Sequence, residues 1–443
     1  MIIRISAAQI AQHDDWRPSL YLSGGAALRF RGDSWPCLGD MAKSFIDGWR
    51  VSRNPLVESY DPLVETAPVF RLRNILPYWI DAEPEHWSSP KMMGKSFCVQ
   101  PLDIIIKKVG GASAALVSKS HSLHPVDANL ALVRGLPPDY AVWVCFSLNQ
   151  PLYQEYLNET EAISTLPRLS LKKLKQMPIC PMPESFKELS QVFIGAYNRY
   201  AQAQIALSLL RHKVEQWVES QMGDFDWDEW ENPAQCHWQF FHPVHIQNTL
   251  QISQVEQNYL CSQLIKKYQL CRLTELSKIN TKSKKNVAMG LGKVLLIGNV
   301  SESMTIKYPL PDKTETRWRL QKQRIRQYDV VMSTFADNTR IAYFADDPED
   351  DIYPTEQIAV LRFNAFPGAY ALLMESRLVK MQLKRLVSSG GFRFLSPHQL
   401  EQIVLPEIDP DIARSWHLKL VDYNRKIHHA ETQLAELLQK MKQ

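Results

Sequence analysis

Two stretches of this chain are written alike at one fixed distance. Leu169-Ser170 is followed by Leu174, and Leu395-Ser396 by Leu400, with both pairs 226 residues apart. The spacing extends backward to "DIIIKKVGG" at Asp103 and "DVVMSTFAD" at Asp329, again 226 apart. Each opens on a β-branched run, turns, and enters a second short apolar run, the pattern of a hairpin. "NLALVRGL" from Asn129 and "QIAVLRFN" from Gln357 add one strand to each copy. Helical segments follow, "YAVWVCFSLN" from Tyr140 and "AYALLMESRLVKMQL" from Ala369. A polar helical turn and an apolar-proline exit close each copy. One register is therefore expected from Asp103 through Leu174 with no net insertion, the mark of a duplicated unit.

A long amphipathic pattern follows each copy. Leu189, Phe193, Ala196, Tyr200, Ala203, Leu207, Leu210, Val214 and Trp217 are spaced 4-3-4-3, as are Trp416, Leu420, Tyr423, Ile427, Ala430, Leu434, Leu437 and Met441. An unbroken heptad seam on two helices of one chain predicts a coiled-coil pair. The first helix would span roughly 40 Å at 1.5 Å per residue. The expected fold is α/β (α+β): two repeated domains joined by two long antiparallel coiled-coil helices, related by a pseudo-two-fold axis. The expected boundaries are 1–183 for the first domain, 184–222 for the central helix, 223–408 for the second domain and 409–443 for the distal helix.

A chain of 443 residues is too long for one ordinary core. Its 45% hydrophobic and 22% charged content is that of a globular protein. A net charge of +4 is too mild to establish a polyanion partner, so local clusters of cations must carry that argument. No apolar run reaches the length of a membrane span, and the start "MIIRISAAQIAQHDDW" is unlike a signal peptide. The seven cysteines, scattered without Cys-x-x-Cys, are expected to be reduced thiols in a cytoplasmic protein with no membrane partner and no metal site.

The residues offer no catalytic arrangement. "GLGKV" (Gly290–Val294) departs from a phosphate loop at Val287 and Val294 and is expected to turn into the strand "KVLLIGNV". No Asn/Asp-Pro-Pro-Tyr/Phe motif and no glycine fingerprint for a methyl donor occur. The acidic runs at Asp224–Glu231 and Asp346–Asp351 lack EF-hand spacing and are expected to be solvated loops.

In layout, the chain resembles the specificity subunit of type I restriction–modification systems. The residues that carry the resemblance are "DIIIKKVGG" from Asp103, "LPRLSLKKLKQMPICPMP" from Leu166, "GKVLLIGNVS" from Gly292 and "FLSPHQLEQIVLP" from Phe394. Residues 1–90 and Gly223–Phe241 match the family poorly. The resemblance implies a non-catalytic subunit whose two target-recognition domains read a bipartite, interrupted double-stranded DNA site. It implies two methyltransferase subunits docked on the helices, with Leu189, Phe193, Tyr200, Leu207, Leu210, Trp217, Trp416, Leu420, Ile427, Leu434 and Leu437 as the coiled-coil and partner positions. A restriction translocase would be an optional further partner. The chain itself would hold no cofactor; S-adenosylmethionine would belong to the partner methyltransferase. The alternative is a scaffold of a defence complex that keeps the fold without reading DNA.

Phosphate contact needs clustered Lys and Arg, and base readout favours Arg and Lys on exposed segments. The densest cluster, "KTETRWRLQKQRIRQ", holds Lys313, Arg317, Arg319, Lys322, Arg324 and Arg326. Lys282, Lys284, Lys285, Arg340 and Arg393 extend the candidate DNA set in the second domain. The first domain offers a sparser set, Lys107, Lys108, Lys119, Arg168, Lys172 and Lys173. Arg168 and Arg393 flank the repeated motif and have bracing its turn as a second reading.

Overall fold

A computed structural model describes residues 28, 35–48, 66–80, 85–88, 98–111, 113–121, 124–160, 168–227, 264–280, 292–301, 304–313, 323–335, 339–386 and 394–442. The chain divides into two compact units, Met1–Ile205 with Ala430–Gln443 and Ala206–His429.

The first unit is built on an antiparallel sheet of β1 (Ser44–Asp47), β2 (Ile104–Lys107), β3 (Ala114–Leu116) and β4 (Leu130–Arg134), in the order β1-β4-β2-β3. Ile104, Ile105 and Ile106 are all buried, so the β-branched run has apolar cover on both faces. Ile105 lies opposite Leu132 and Ala115, and the three join Phe70, Ile75, Ile80 and Val99 in one core. Gly110 and Gly111, at φ of 75° and 96°, supply the left-handed turn after β2. Helix α1 (Pro138–Leu148) starts with proline in its first turn, where the missing N–H costs nothing. The repeated Leu-Ser motif acts as a cap: Ser170 Oγ accepts from Lys173 N at 3.3 Å and opens the short helix Leu171–Lys175. The chain then returns to its beginning, where Leu38 N donates to Met177 O at 2.8 Å.

The second unit repeats this plan. Strands β5 (Ser277–Asn280), β6 (Val330–Ser333), β7 (Ile341–Tyr343) and β8 (Ile358–Phe363) are ordered β5-β8-β6-β7, antiparallel throughout. Val331 lies opposite Val360 and Ala342, as Ile105 lies opposite Leu132 and Ala115. Ser396 Oγ caps Pro397–Leu400 by accepting from Gln399 N at 3.3 Å. Leu273 N donates to Ile403 O at 2.8 Å, the counterpart of Leu38 on Met177. The duplication thus begins well before Asp103, within the stretch whose sequence is poorly matched. Register is also less uniform than expected: Ile105 and Val331 are 226 apart but Leu132 and Val360 are 228, and the difference is lost again by Ser170 and Ser396. "KVLLIGNV" is only partly a strand: Lys293–Leu295 is extended, and Ile297–Asn299 is a tight turn closed by Leu296 N donating to Asn299 Oδ1.

Helices α2 (Phe186–Met222), α3 (Pro367–Met374), α4 (Arg377–Leu386) and α5 (Pro410–Lys442) complete the elements needed below. The heptad seam is buried at Phe193, Tyr200, Leu207, Leu210, Trp416, Leu420, Ile427, Leu434 and Leu437, with Leu189 and Trp217 half-buried. Arg199 donates to Gln433 at 2.8 Å in the first unit, and Trp217 packs edge-on against Trp416 at 5.2 Å in the second. Numbering rises along α2 as it falls along α5, so the helices pair antiparallel. Among the described residues, no helix is long and apolar enough to cross a membrane.

Candidate nucleic-acid interface

One buried ion pair, made twice, positions the segment that leads into the sheet of each unit. Asp103 accepts from Arg134 Nη2 at 2.7 Å and caps Gln100 N at 2.8 Å, while Arg134 Nη2 also donates to Cys98 O at 2.6 Å. Asp329 accepts from Arg362 Nε at 2.8 Å and caps Arg326 N at 3.0 Å, while Arg362 Nη2 donates to Arg324 O at 2.9 Å. Leu102 and Tyr328, the residues before the aspartates, share a left-handed φ of 69° and 67°. In the first unit the pinned segment is Cys98–Gln100; in the second it is Arg324–Arg326, the end of the basic run.

The other end of that run comes to the same place. Lys313 Nζ lies 4.5 Å above the Tyr353 ring, and Arg324 Nη1 is 2.7 Å from Asp351 Oδ1. Ile325 N donates to Ile352 O at 2.9 Å, and Lys293 pairs with Asp312 at 2.8 Å. Both described ends of the basic run are therefore rooted on residues 351–353. Arg326 is exposed, whereas Arg340 is half-buried with its guanidinium 3.4 Å from Val300 O. Arg317, Arg319, Lys322, Lys282, Lys284, Lys285 and Arg393 lie outside the described residues.

The first unit changes the reading of its cations. Lys108 is 4% exposed and its ammonium is 2.5 Å from Asp47, so it is a core ion-pair residue and not a phosphate contact. Burial, the largest influence, pushes its pKa down, and Asp47 opposes that shift. Lys107 is half-buried at the end of β2, and burial lowers its pKa too. Arg168 donates to Ala128 O at 2.5 Å and braces the motif turn. Lys172 is exposed and Lys173 half-buried on the short helix capped by Ser170. Lys119 is exposed, and its backbone N donates to Asn198 Oδ1 of α2 at 3.0 Å.

That last contact belongs to a joint repeated at matching helix positions, each 227 residues apart. In the first unit Ser190 Oγ donates to Asp139 at 2.6 Å, Tyr197 OH accepts from Ile80 N at 3.0 Å, and Asn198 accepts from Lys119. In the second, His417 Nδ1 accepts from Gly368 N at 3.1 Å, Asn424 donates to Tyr343 O at 3.3 Å, and Arg425 pairs with Asp346 at 2.6 Å. Positions 190, 197 and 198 thus correspond to 417, 424 and 425. Each domain is fastened to the helix that follows it. Gly368 is needed at its joint, since a Cβ there would stand 2.9 Å from His417 Nδ1. These joints use unrelated residue types, so sequence comparison of the copies could not expose them. Arg134 and Arg362 had a usable signal, because each lies in the last two residues of a strand that follows the repeated aspartate.

Among the described residues, no group of three His, Cys, Asp or Glu side chains is placed to hold a metal ion. No family model and no curated protein matches the sequence. Solved structures do align. The S subunit of the type I restriction-modification system from M. genitalium aligns at TM-score 0.41 and 9% identity, over 91% of this chain and 92% of that one. The HsdS subunit from Thermoanaerobacter tengcongensis aligns at TM-score 0.26 and 12% identity, over 91% and 93%. A chain from the type I R-M system, solved for its complex assembly and conformational transition, aligns at TM-score 0.25 and 14% identity, over 92% and 94%.

Proposed function

We propose that this chain is the DNA-recognition subunit of a type I-like restriction–modification or phage-defence system. The observation that carries the reading is the duplicated joint: two domains of one plan, each fastened to its own following helix at positions 190, 197, 198 and 417, 424, 425. A reader repeated on paired helices suits a target of two half-sites with a fixed gap. The basic run from Lys313 to Arg326 supplies phosphate affinity, which is insensitive to sequence and sensitive to salt. The outward faces of α2 and α5 receive two methyltransferase subunits. The methyl donor, S-adenosylmethionine, binds those partners, and the chemistry is theirs. A restriction subunit is an optional further partner, and the complex works in the cytoplasm.

Duplex binding by the purified chain across a salt series tests this. The parent should bind duplex with a falling log–log salt dependence. Replacing Arg317, Arg319, Arg324 and Arg326 with Ala should weaken binding and flatten the slope by about 0.9 for each lost phosphate contact. A folded quadruple variant with the parent's affinity and slope removes the basic run from the DNA interface. A chain that binds no duplex at any salt, yet still copurifies with a methyltransferase, is a scaffold.

A further inference from the structure

The acidic run from Asp346 to Asp351 places five carboxylates in six residues. Its last residue lies against the described end of the basic run. Asp351 Oδ1 is 2.7 Å from Arg324, and Asp347 Oδ1 accepts from Gln327 N at 3.0 Å. Gln327 Nε2 donates to Ala345 O at 3.1 Å, so side chain and main chain both tie the end of the basic run to the acidic one. Lys313, at the other end, sits over Tyr353, two residues beyond the last carboxylate.

The two runs occur together in one unit and are missing together from the other. The bridge of Ile75 to Ile80 matches that of Val300 to Ile306, and Cys98 O matches Arg324 O as the acceptor of the buried arginine. Residues 313–326 therefore correspond to 87–100, which hold only Lys91 and Lys95 as cations and no arginine. Val117 N on Asp103 O matches Phe344 N on Asp329 O, and Asp127 N on Phe70 O matches Thr355 N on Leu295 O. Residues 345–354 therefore correspond to 118–126, which contain no carboxylate. Asp346 serves the joint to α5 through Arg425, whereas Asp347 and Asp351 face the end of the basic run and have no carboxylate counterpart in the first copy.

The contact is also weak enough to exchange. Arg324 is 53% exposed and Asp351 45%, so solvent and salt screen the pair. A phosphodiester carries the same single negative charge as a carboxylate and accepts the same hydrogen bonds from a guanidinium.

We propose that the acidic run occupies, in the DNA-free chain, the place of a backbone phosphate at the Arg324 end of the basic run. DNA binding exchanges the Asp351 carboxylate for a phosphodiester at Arg324. The proposal rests on the DNA-recognition reading above and deepens it. The run lowers affinity for every duplex alike, so that base contacts decide which duplexes are held. This device belongs to the second domain alone.

The test compares the full chain with D351N, R324A and the double variant, by filter binding of a random-sequence duplex over a salt series. D351N should bind roughly two- to fivefold tighter at low salt, the range an exposed ion pair allows. Its log–log salt slope should steepen by about 0.9, one extra counterion released. R324A should bind more weakly than the parent, and adding D351N to it should change nothing. D351N that melts with the parent and binds no tighter overturns the proposal. So does equal tightening in the R324A background, which places the effect away from this contact. If D351N melts lower, E349Q/D350N takes its place: tighter binding upholds the proposal and parental binding overturns it. A parent that retains no duplex at any salt overturns the DNA reading itself, and the proposal with it.

Discussion

Asp329→Ala removes a buried acceptor that holds three donors of the second domain. Asp329 is buried and receives Arg362 Nε at 2.8 Å, Arg362 Nη2 at 3.0 Å and Arg326 N at 3.0 Å. The substitution leaves Arg362 with Arg324 O and Gln323 Oε1, and a largely covered guanidinium without its counter-charge. Breaking one partner of a buried pair costs about 3–5 kcal/mol; Arg362 is 23% exposed and recovers part of that in water, leaving roughly 2–4 kcal/mol. Amide hydrogen exchange reads the loss domain by domain. Protection of β6 and β8 should fall on the order of 30- to 1,000-fold, while β2 and β4 keep theirs. Asp103→Ala should do the reverse, because Asp103 holds Arg134 and Gln100 N in the same geometry. Asp329→Ala should also weaken duplex binding, since the cap on Arg326 and the bond to Arg324 O fix the end of the basic run. A loss under about 1 kcal/mol in either domain would refute the claim that these pairs position the segments.

Three further outcomes are expected. Leu207→Asp puts a carboxylate at a seam position only 1% exposed and should cost several kcal/mol, about 3 or more; thermal unfolding unchanged from the parent would detach Leu207 from helix pairing. His121 is buried, with Nδ1 2.9 Å from Ser118 Oγ, and burial pushes its pKa down from 6.5 to about 3. The unfolded chain takes up that proton first, so stability of the first domain should hold above pH 6.5 and fall on acidification toward 3, by at most about 1.4 kcal/mol per pH unit. Urea midpoints against pH check this, and His121→Gln should flatten the slope. Residues 1–222, lacking α5, should dimerise by pairing copies of α2 and select an interrupted palindrome, as light scattering and binding selection would show.

The parts of the fold legible in the sequence are those where side chains carry the likeness. The β-branched runs at Ile104 and Val330, the capping serines Ser170 and Ser396 and the unbroken heptads each reflect a local rule of strand, cap or helix packing. The duplication before Asp103 is carried by main-chain bonds instead. Leu38 N on Met177 O matches Leu273 N on Ile403 O, while Cys37 and Arg272, the residues before them, have nothing in common. Two connections that each gain one residue, a gain lost again by Ser396, break the single register expected from Asp103 to Leu174. At the candidate interface, Lys108 reads as a turn cation beside Lys107, yet its partner Asp47 is 61 residues away and only the folded sheet brings them together. The pairing of acidic with basic run is long-range for the same reason: Arg324 and Asp351 are 27 residues apart, and neither run signals the other.

The most direct test of two-part DNA recognition is the methylation map of a host carrying this gene with its neighbouring methyltransferase genes. The account predicts one motif of two short half-sites separated by a fixed gap, absent when this gene alone is deleted and restored by the parent chain. Quadruple substitution of Arg317, Arg319, Arg324 and Arg326 should reduce methylation at that motif. A continuous motif, or methylation that persists unchanged without this chain, would contradict it.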